Sequence, residues 1–260
     1  MRRPVGRGRF VIRRLVDIVL ASIGLVVSLP VLVVAAGAIY AANPGPVIYR
    51  AARVGRTGRV FTMFKLRTMY LHRGESGSVV TAAADGRVFP LGRLLRRSKI
   101  DEVPQMVNII MGDMSIVGPR PRDPKIVACY TALHRETLEV LPGLTSPGTL
   151  FYVTHGESAL RSRDPEMEYR ARILPQKLAL DIDYVRNRSV WIDLLIVVRT
   201  VGAIFNLDSV GLSQRHVDRV GELVQPAKNT DGETDPRQRA PTGGQSQEWN
   251  NGGQEDLRDR

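Results

Sequence analysis

Hydrophobic side chains crowd residues 15–42, LVDIVLASIGLVVSLPVLVVAAGAIYAA, and across residues 18–42 no charge interrupts them. A run of that length suffices to cross a hydrocarbon core of ~30 Å, which takes ~20 apolar residues. Pro30 stands in the middle, two positions after Ser28, where it removes a backbone donor and crowds the preceding turn. A serine hydroxyl can satisfy a carbonyl freed in that way. Beyond the breakers Asn43, Pro44, Gly45 and Pro46 the pattern shortens. VIYR and VFTMFKLRTM predict two strands joined by a turn at residues 56–59. PLGRLLRRSK (90–99) predicts a short basic helix that suits either an anionic surface or the flank of a core. Val103, Met106, Val107 and Ile110 predict the buried stripe of a further helix, with Pro104 in its first turn. Residues 123–141 predict an amphipathic helix burying Ile126, Val127, Tyr130, Leu133 and Leu138. Residues 174–205 predict two helices divided near Asn187 and Arg188. The second is almost wholly apolar but short, with Trp191 at its start and Arg199 in its middle, so it reads as interfacial or core rather than spanning. Residues 71–89 and 155–172 read as exposed polar segments, and the chain beyond about residue 213 reads as a disordered tail.

Charge alters the reading of the apolar run. Arg2, Arg3, Arg7, Arg9, Arg13 and Arg14 precede it, and Arg50, Arg53, Arg56, Arg59, Lys65, Arg67 and Arg73 follow before the next acid, Glu75. Both flanks favour the cytoplasmic face, and a single crossing can satisfy only one of them. A helix–break–helix hairpin bending at Ser28 and Pro30 satisfies both, with arms of roughly 12 to 15 residues. A kinked span and a cleaved signal peptide are the alternatives, and the length of the run speaks against the second. The expected organisation is a basic segment (1–14), a re-entrant hairpin (15–42), a main domain (43–212) and a polar tail (213–260). Net charge is +11, with about +14 in the first 220 residues, which suits anionic membrane lipids or phosphate-bearing substrates. Aromatic residues make up 6 %, with no zinc-finger or RNA-binding motif, so nucleic acid is not the expected partner. The single cysteine, Cys129, excludes an internal disulfide and a cysteine-based metal cluster, and neither His134 nor His155 has a second ligand nearby.

Candidate chemistry gathers in IDEVPQMVNIIMGDMSIVGPRPR, residues 100–122. Asp101 and Glu102 are adjacent acids directly after a strongly basic helix. Asp101 can simply cap the following helix. Two neighbouring carboxylates in a basic setting can also divide the roles of nucleophile and of metal or proton ligand, with Asp113 a third acid nearby. The stiff segment Gly118–Pro119–Arg120–Pro121–Arg122 holds two guanidiniums on an extended backbone, a geometry suited to bidentate phosphate binding. Arg67 stands in an otherwise apolar strand, where a charge is costly unless paired or directed at headgroups. The turn GRTG lacks phosphate-loop spacing and reads as a hairpin turn.

Taken together, RVGRTGRVFTMFKLRTM, LGRLLRRSKIDEVPQMVNIIMGDMSIVGPRP, LPGLTSP and YVRNRSVWIDLLIVVRT resemble the bacterial sugar transferases, the monotopic polyprenyl-phosphate hexose-1-phosphate transferases, in their short form. The resemblance runs from about Arg13 to Phe205. It implies an α+β monotopic membrane protein with a re-entrant hairpin, a small strand element and interfacial helices around a catalytic core. It also implies that Asp101 attacks the diphosphate of a nucleotide sugar, giving a phosphosugar-aspartyl intermediate that polyprenyl phosphate then takes up. Glu102, with Asp101, would hold Mg2+, and Ser28 and Pro30 would form the hairpin bend. Three departures stand out: Leu29 separates that serine and proline, Lys99 precedes Ile100 and the acidic pair where a small polar residue is more common, and GTLFYVTHGE follows LPGLTSP in place of the familiar tryptophan–glutamine–valine run. Phosphoryl transfer needs charge neutralisation, for which Arg67, Arg96, Arg97, Arg120 and Arg122 are the candidates. The expected partners are a UDP-linked sugar and polyprenyl phosphate at the cytoplasmic face of the inner membrane, and a homodimer is compatible with this reading. A non-catalytic basic scaffold of a polysaccharide complex would explain the charge and the anchor, but it has no need of Asp101 and Glu102 beside residues 118–122.

Overall fold

The computed structural model describes residues 7–71, 85–153 and 165–204 together with Val220. Most of the expected loop at 71–89, His155 with the rest of residues 155–164 in the expected polar stretch 155–172, and nearly all of the expected tail lie outside the described residues. A 36-residue helix, α1 (Arg7–Ala42), opens the chain. Its inward face follows helical periodicity: Arg14, Asp17, Ala21, Ser28, Leu32, Ala35 and Ile39 are buried or half-buried. Val26, Val27, Val33 and Val34 on the other faces are exposed, as suits a helix with one side in lipid. Small residues let the helix backbone approach the rest of the fold. Ala21 packs with Ala51, Phe61, Met63, Ile109 and Met114, and about four to five turns on Ala35 and Ile39 pack with Leu66, Phe89 and Leu95.

The expected break into two arms is not distinctly resolved, because α1 continues through Pro30. Ser28 donates its hydroxyl to the carbonyls of Gly24 (2.7 Å) and Leu25 (3.2 Å), a local bond that bends helices without ending them. A proline inside a helix costs ~3 kcal/mol, and the docked face on either side of it offsets such a cost. Polar contacts fix the start of α1. Arg14 donates to the carbonyls of Ile109, Ile110 and Met114, and Asp17 accepts from the Ser115 hydroxyl (2.6 Å) and the Ile116 amide (3.2 Å).

Strands β1 (Ile48–Val54) and β2 (Val60–Leu66) form an antiparallel hairpin in which Tyr49 faces Lys65 and Val54 faces Val60. The connecting turn, with Thr57 at φ 59° and Gly58 at φ 82°, is the ordinary hairpin turn expected there. Helix α2 (Pro90–Arg97) lies so close to the end of β2 that a Cβ on Gly92 would come within 2.2 Å of the Thr68 carbonyl. Helix α3 (Gln105–Met111) then packs under the hairpin. Its buried positions are Gln105, Asn108 and Ile109, so the expected stripe of Val103, Met106, Val107 and Ile110 is rotated. The reason is polar: the Asn108 amide accepts from the Phe64 N–H (3.0 Å) and donates to the Thr62 carbonyl (2.7 Å), taking the inward position from an apolar residue.

Strands β3 (Ser115–Val117) and β4 (Gly143–Thr145) pair in parallel. Gly118 and Gly143 touch backbone to backbone, since a Cβ on Gly143 would lie 2.1 Å from the Gly118 nitrogen. That contact aims the Pro119–Arg122 segment. The amphipathic helix expected over residues 123–141 is instead a one-turn α4 (Pro124–Val127) and a 3₁₀ turn at His134–Leu138. Ile126, Val127 and Tyr130 are buried all the same. Helices α5 (Pro147–Phe151) and α6 (Pro165–Glu168) precede a π-helical turn, Tyr169–Ile173, which leads into α7 (Leu174–Asn187) and α8 (Val190–Ile204). The division near Asn187 is as expected. Helix α8 buries Ile196 but exposes Trp191, Leu194, Leu195 and Val198, the profile of an interfacial helix. The whole is a mixed α+β, largely helical monotopic fold.

Candidate active site

Helix α2 ends in a left-handed residue, Lys99 (φ 58°), and the chain turns there into a 3₁₀ segment, Ile100–Glu102. A non-glycine residue in that conformation is uncommon and strained. Asp101 and Glu102 thus sit on a short, sharply turned link between two helices. Asp101 is 6 % exposed. It does not cap α3, whose N-cap is Pro104 without a side-chain bond, and its Oδ1 is buried with no hydrogen-bond partner among the described residues. A buried carboxylate oxygen left open in this way is expensive unless it has another use.

The neighbouring Glu102 is held from two sides. Lys65, projecting from β2, lies 3.2 Å from Oε1, and Arg120 makes a short bond to the same oxygen while donating to the Leu144 carbonyl at 3.1 Å. The two acids consequently differ. Burial, and then the adjacent Glu102 charge, push the Asp101 carboxyl up to about 6, with Lys65, Arg96 and Lys99 opposing. Burial pushes Glu102 in the same direction, but Arg120, Lys65 and Lys99 overcome it and hold that carboxyl far below the usual range. Burial also lowers Lys65, with Glu102 acting against the shift. The arrangement supplies one carboxylate raised toward neutrality with a free oxygen and a second held toward its ionised form between two cations.

The other expected residues fall into separate groups. Arg96 approaches the dyad from α2 and donates from Nε to the Thr68 hydroxyl (2.8 Å), whereas Arg97 is exposed. Arg122 lies beyond Arg120, bonded to the Tyr169 hydroxyl. Arg67 is 4 % exposed and donates to the Asn43 carbonyl at the end of α1, as a cation at a helix C-terminus does. Ser28 and Pro30 lie within α1, and Asp113 lies past the far end of α3 from the dyad. The sequence reading passed over Lys65. Its strand alternates with buried Phe61 and Met63, so a lysine on that inward-facing register was the available signal. It also passed over Gln105, fully buried with neither amide atom partnered among the described residues. Leu25, Leu32, Val33 and Ala36 of α1, with Val47, Leu66, Pro104 and Val107, line an apolar recess of about 400 Å³.

The bacterial sugar transferase model matches residues 8–207, which spans α1, the dyad, Arg120 and α8. The chain belongs to that family. A UDP-glucose:undecaprenyl-phosphate glucose-1-phosphate transferase of Caulobacter vibrioides is 38 % identical over 202 residues, 76 % of this chain and 71 % of that protein. The protein of the same description from Escherichia coli is 34 % identical over 207 residues, 76 % of this chain but 41 % of its own length. A UDP-N-acetylgalactosamine-undecaprenyl-phosphate N-acetylgalactosaminephosphotransferase of Aeromonas hydrophila is 33 % identical over 198 residues, 74 % of this chain and 43 % of its own length. As a bacterial sugar transferase the chain is an enzyme. Its docked apolar helix and basic flanks place it on the cytoplasmic face of the inner membrane.

Proposed function

We propose that this sugar transferase moves a hexose 1-phosphate from a UDP-sugar to undecaprenyl phosphate through an intermediate on Asp101. The observation that carries the reading is the unpartnered, buried Asp101 oxygen beside the clamped Glu102. An Asp101 oxygen forms a bond to the β-phosphorus as the bond to the bridging oxygen breaks. The electron pair leaves with that oxygen on the nucleoside monophosphate. An oxygen of the lipid phosphate then attacks the same phosphorus, and the pair in the aspartyl–phosphorus bond returns to Asp101. Lys65 and Arg120, already directed at Glu102, and Arg96 nearby, offset negative charge on the phosphoryl oxygens.

The family reading implies Mg2+. No group of three or more possible metal-ligating side chains occurs among the described residues. Magnesium commonly takes one or two carboxylates plus substrate phosphates and waters, and the open Asp101 oxygen with Glu102 beside it suits that mode. Bound there, the ion would neutralise diphosphate charge. The apolar recess beside α1 and the exposed apolar faces of α1 and α8 support a lipid acceptor.

The same reading makes α1 re-entrant, with Ser28 and Pro30 at its bend and residues 43–212 as the catalytic domain. Polar and apolar contacts of both ends of α1 with one body support it. Reporter tags at residues 5 and 75 should label from the same cytoplasmic side, and opposite sides would exclude re-entry. The activity is tested by incubating membranes carrying the protein with undecaprenyl phosphate, Mg2+ and a panel of UDP-sugars. Lipid-dependent release of uridine monophosphate with at least one donor is the expected result. Release with none overturns the reading.

A further inference from the structure

Helix α2 has two faces of different character. On the inner one, Gly92 sits against the Thr68 carbonyl, and Leu91 and Leu95 pack with Phe89 and Leu66 on Ala35 and Ile39 of α1. On the outer one, Pro90, Arg93, Leu94 and Arg97 follow the spacing i, i+3, i+4, i+7 and are all exposed, Leu94 at 62 %. The remaining arginine of the helix, Arg96, turns inward to the Thr68 hydroxyl (2.8 Å). The outward charge therefore belongs to Arg93 and Arg97, and neither guanidinium has a hydrogen-bond or ion-pair partner among the described residues.

What the inner face is fixed to decides where the outer face lies. Ala35 and Ile39 come seven and three residues before Ala42, the last residue of α1, which is about 10 and 5 Å along a helix axis. The polar layer on each side of a bilayer is roughly 5–8 Å thick. Tyr40 and Tyr49 near that exit are exposed, as aromatic residues are at a membrane–water boundary. Helix α2 thus lies at headgroup depth, beside a helix whose Val33 and Val34 are exposed to lipid. A single exposed leucine is ordinary on a water-facing surface. Here it stands between two unpaired guanidiniums at the level of lipid phosphates.

We infer that Arg93, Leu94 and Arg97 form a docking surface for the anionic phospholipid headgroups of the cytoplasmic leaflet. The inference rests on the cytoplasmic-face placement of the chain and is independent of the proposed chemistry at Asp101. The guanidiniums pair with headgroup phosphates, and the leucine inserts beside the uppermost acyl carbons. Each arginine near an anionic leaflet strengthens such docking about fivefold. The contact reaches the acidic pair through the backbone. The Ser98 hydroxyl donates to the Leu94 and Leu95 carbonyls (3.0 and 3.1 Å). The Lys99 amide donates to the Arg96 carbonyl (3.2 Å), and the Glu102 amide to the Lys99 carbonyl (3.1 Å). These bonds make α2 and the 99–102 link one continuous piece, so docking α2 sets the height of Asp101 and Glu102 at the bilayer.

The test uses the full chain in lipid nanodiscs free of undecaprenyl phosphate. A nitroxide is attached through Leu94→Cys in a Cys129→Ser background, because Cys129 is exposed. Discs of phosphatidylcholine alone are compared with discs that include phosphatidylglycerol. In the anionic discs the nitroxide should meet a water-soluble nickel chelate several-fold less and approach a lipid-facing reference at Val33→Cys, and high salt should reverse the change. Arg93→Gln with Arg97→Gln should cut the docked population about tenfold or more. A nitroxide equally open to the chelate in both discs overturns the docking surface, and so does a response that survives loss of both arginines. A response seen only after undecaprenyl phosphate is added gives the face to the acceptor and overturns the headgroup assignment. Uridine monophosphate release by the wild-type protein should rise several-fold with phosphatidylglycerol, and Arg93→Gln should reduce that rise. A docked nitroxide with unchanged release overturns the link to the acidic pair. Release absent from every disc counts against the proposed function, while the nitroxide still decides the docking.

Discussion

Two regions of this transferase bury an aspartate among cations, and they handle it differently. Asp181 on α7 is 1 % exposed and receives the Gly148 amide, and its carboxyl is raised chiefly by burial. Asp101 is 6 % exposed and is also raised chiefly by burial, yet its Oδ1 receives nothing among the described residues. Burial and a raised pKa are common to both and so cannot identify a nucleophile. What separates them is hydrogen-bonding capacity left open: Asp181 spends its oxygen on the backbone of α5, whereas Asp101 keeps one free. The clamp on Glu102 completes the contrast, because it fixes the second acid as an anion without engaging the first.

The largest test of that comparison exchanges each carboxyl for an amide. Asp101→Asn should lower uridine monophosphate release at least about a thousandfold with expression and melting temperature retained, as loss of a nucleophile does. Full activity would remove Asp101 from the chemistry. A smaller effect is expected with pH. Because burial and Glu102 raise the Asp101 carboxyl to about 6, the reactive anion is lost as pH falls through that value. The rate of intermediate formation, followed by rapid quench from pH 8 to 5, should be level above about 6 and fall about tenfold per unit below it. This group does not account for acid unfolding in that window. A carboxyl raised on folding binds its proton more tightly in the folded state, so its contribution to stability grows as pH falls from 6 toward 3.8. A rate unchanged down to pH 5 would show that the free oxygen is not the reactive one. The smallest effect on activity should come from Asp181→Asn. It is expected to cost about 1–3 kcal/mol in denaturant unfolding while leaving kcat within a few-fold. A kcat loss as deep as that of Asp101→Asn would erase the distinction.

The sequence by itself marked several of the elements and the candidate acidic pair. A period-two pattern marked the hairpin, an uncharged run marked α1, and Asn187 and Arg188 marked the gap between α7 and α8. These features depend on neighbouring residues, and local backbone preference is strong enough to declare them. The adjacency of Asp101 and Glu102 was likewise visible. Their opposite charge behaviour was not, because it comes from Lys65 on β2 and Arg120 beyond β3, which only folding brings to one oxygen. The rotated burial of α3 was hidden for a similar reason, since Asn108 earns its inward place by bonding the edge of β2. Residues 123–141 show the reverse case: the apolar pattern was correct about burial but wrong about helix, as tertiary packing buried Ile126, Val127 and Tyr130 on short turns. Lys177 was silent in the one-dimensional pattern. Only the convergence of α7 with Tyr152 and the π-helical turn sets its nitrogen over two aromatic rings. Electrostatic interaction falls with distance in space rather than along the chain, so the roles of charged groups were left to the tertiary structure.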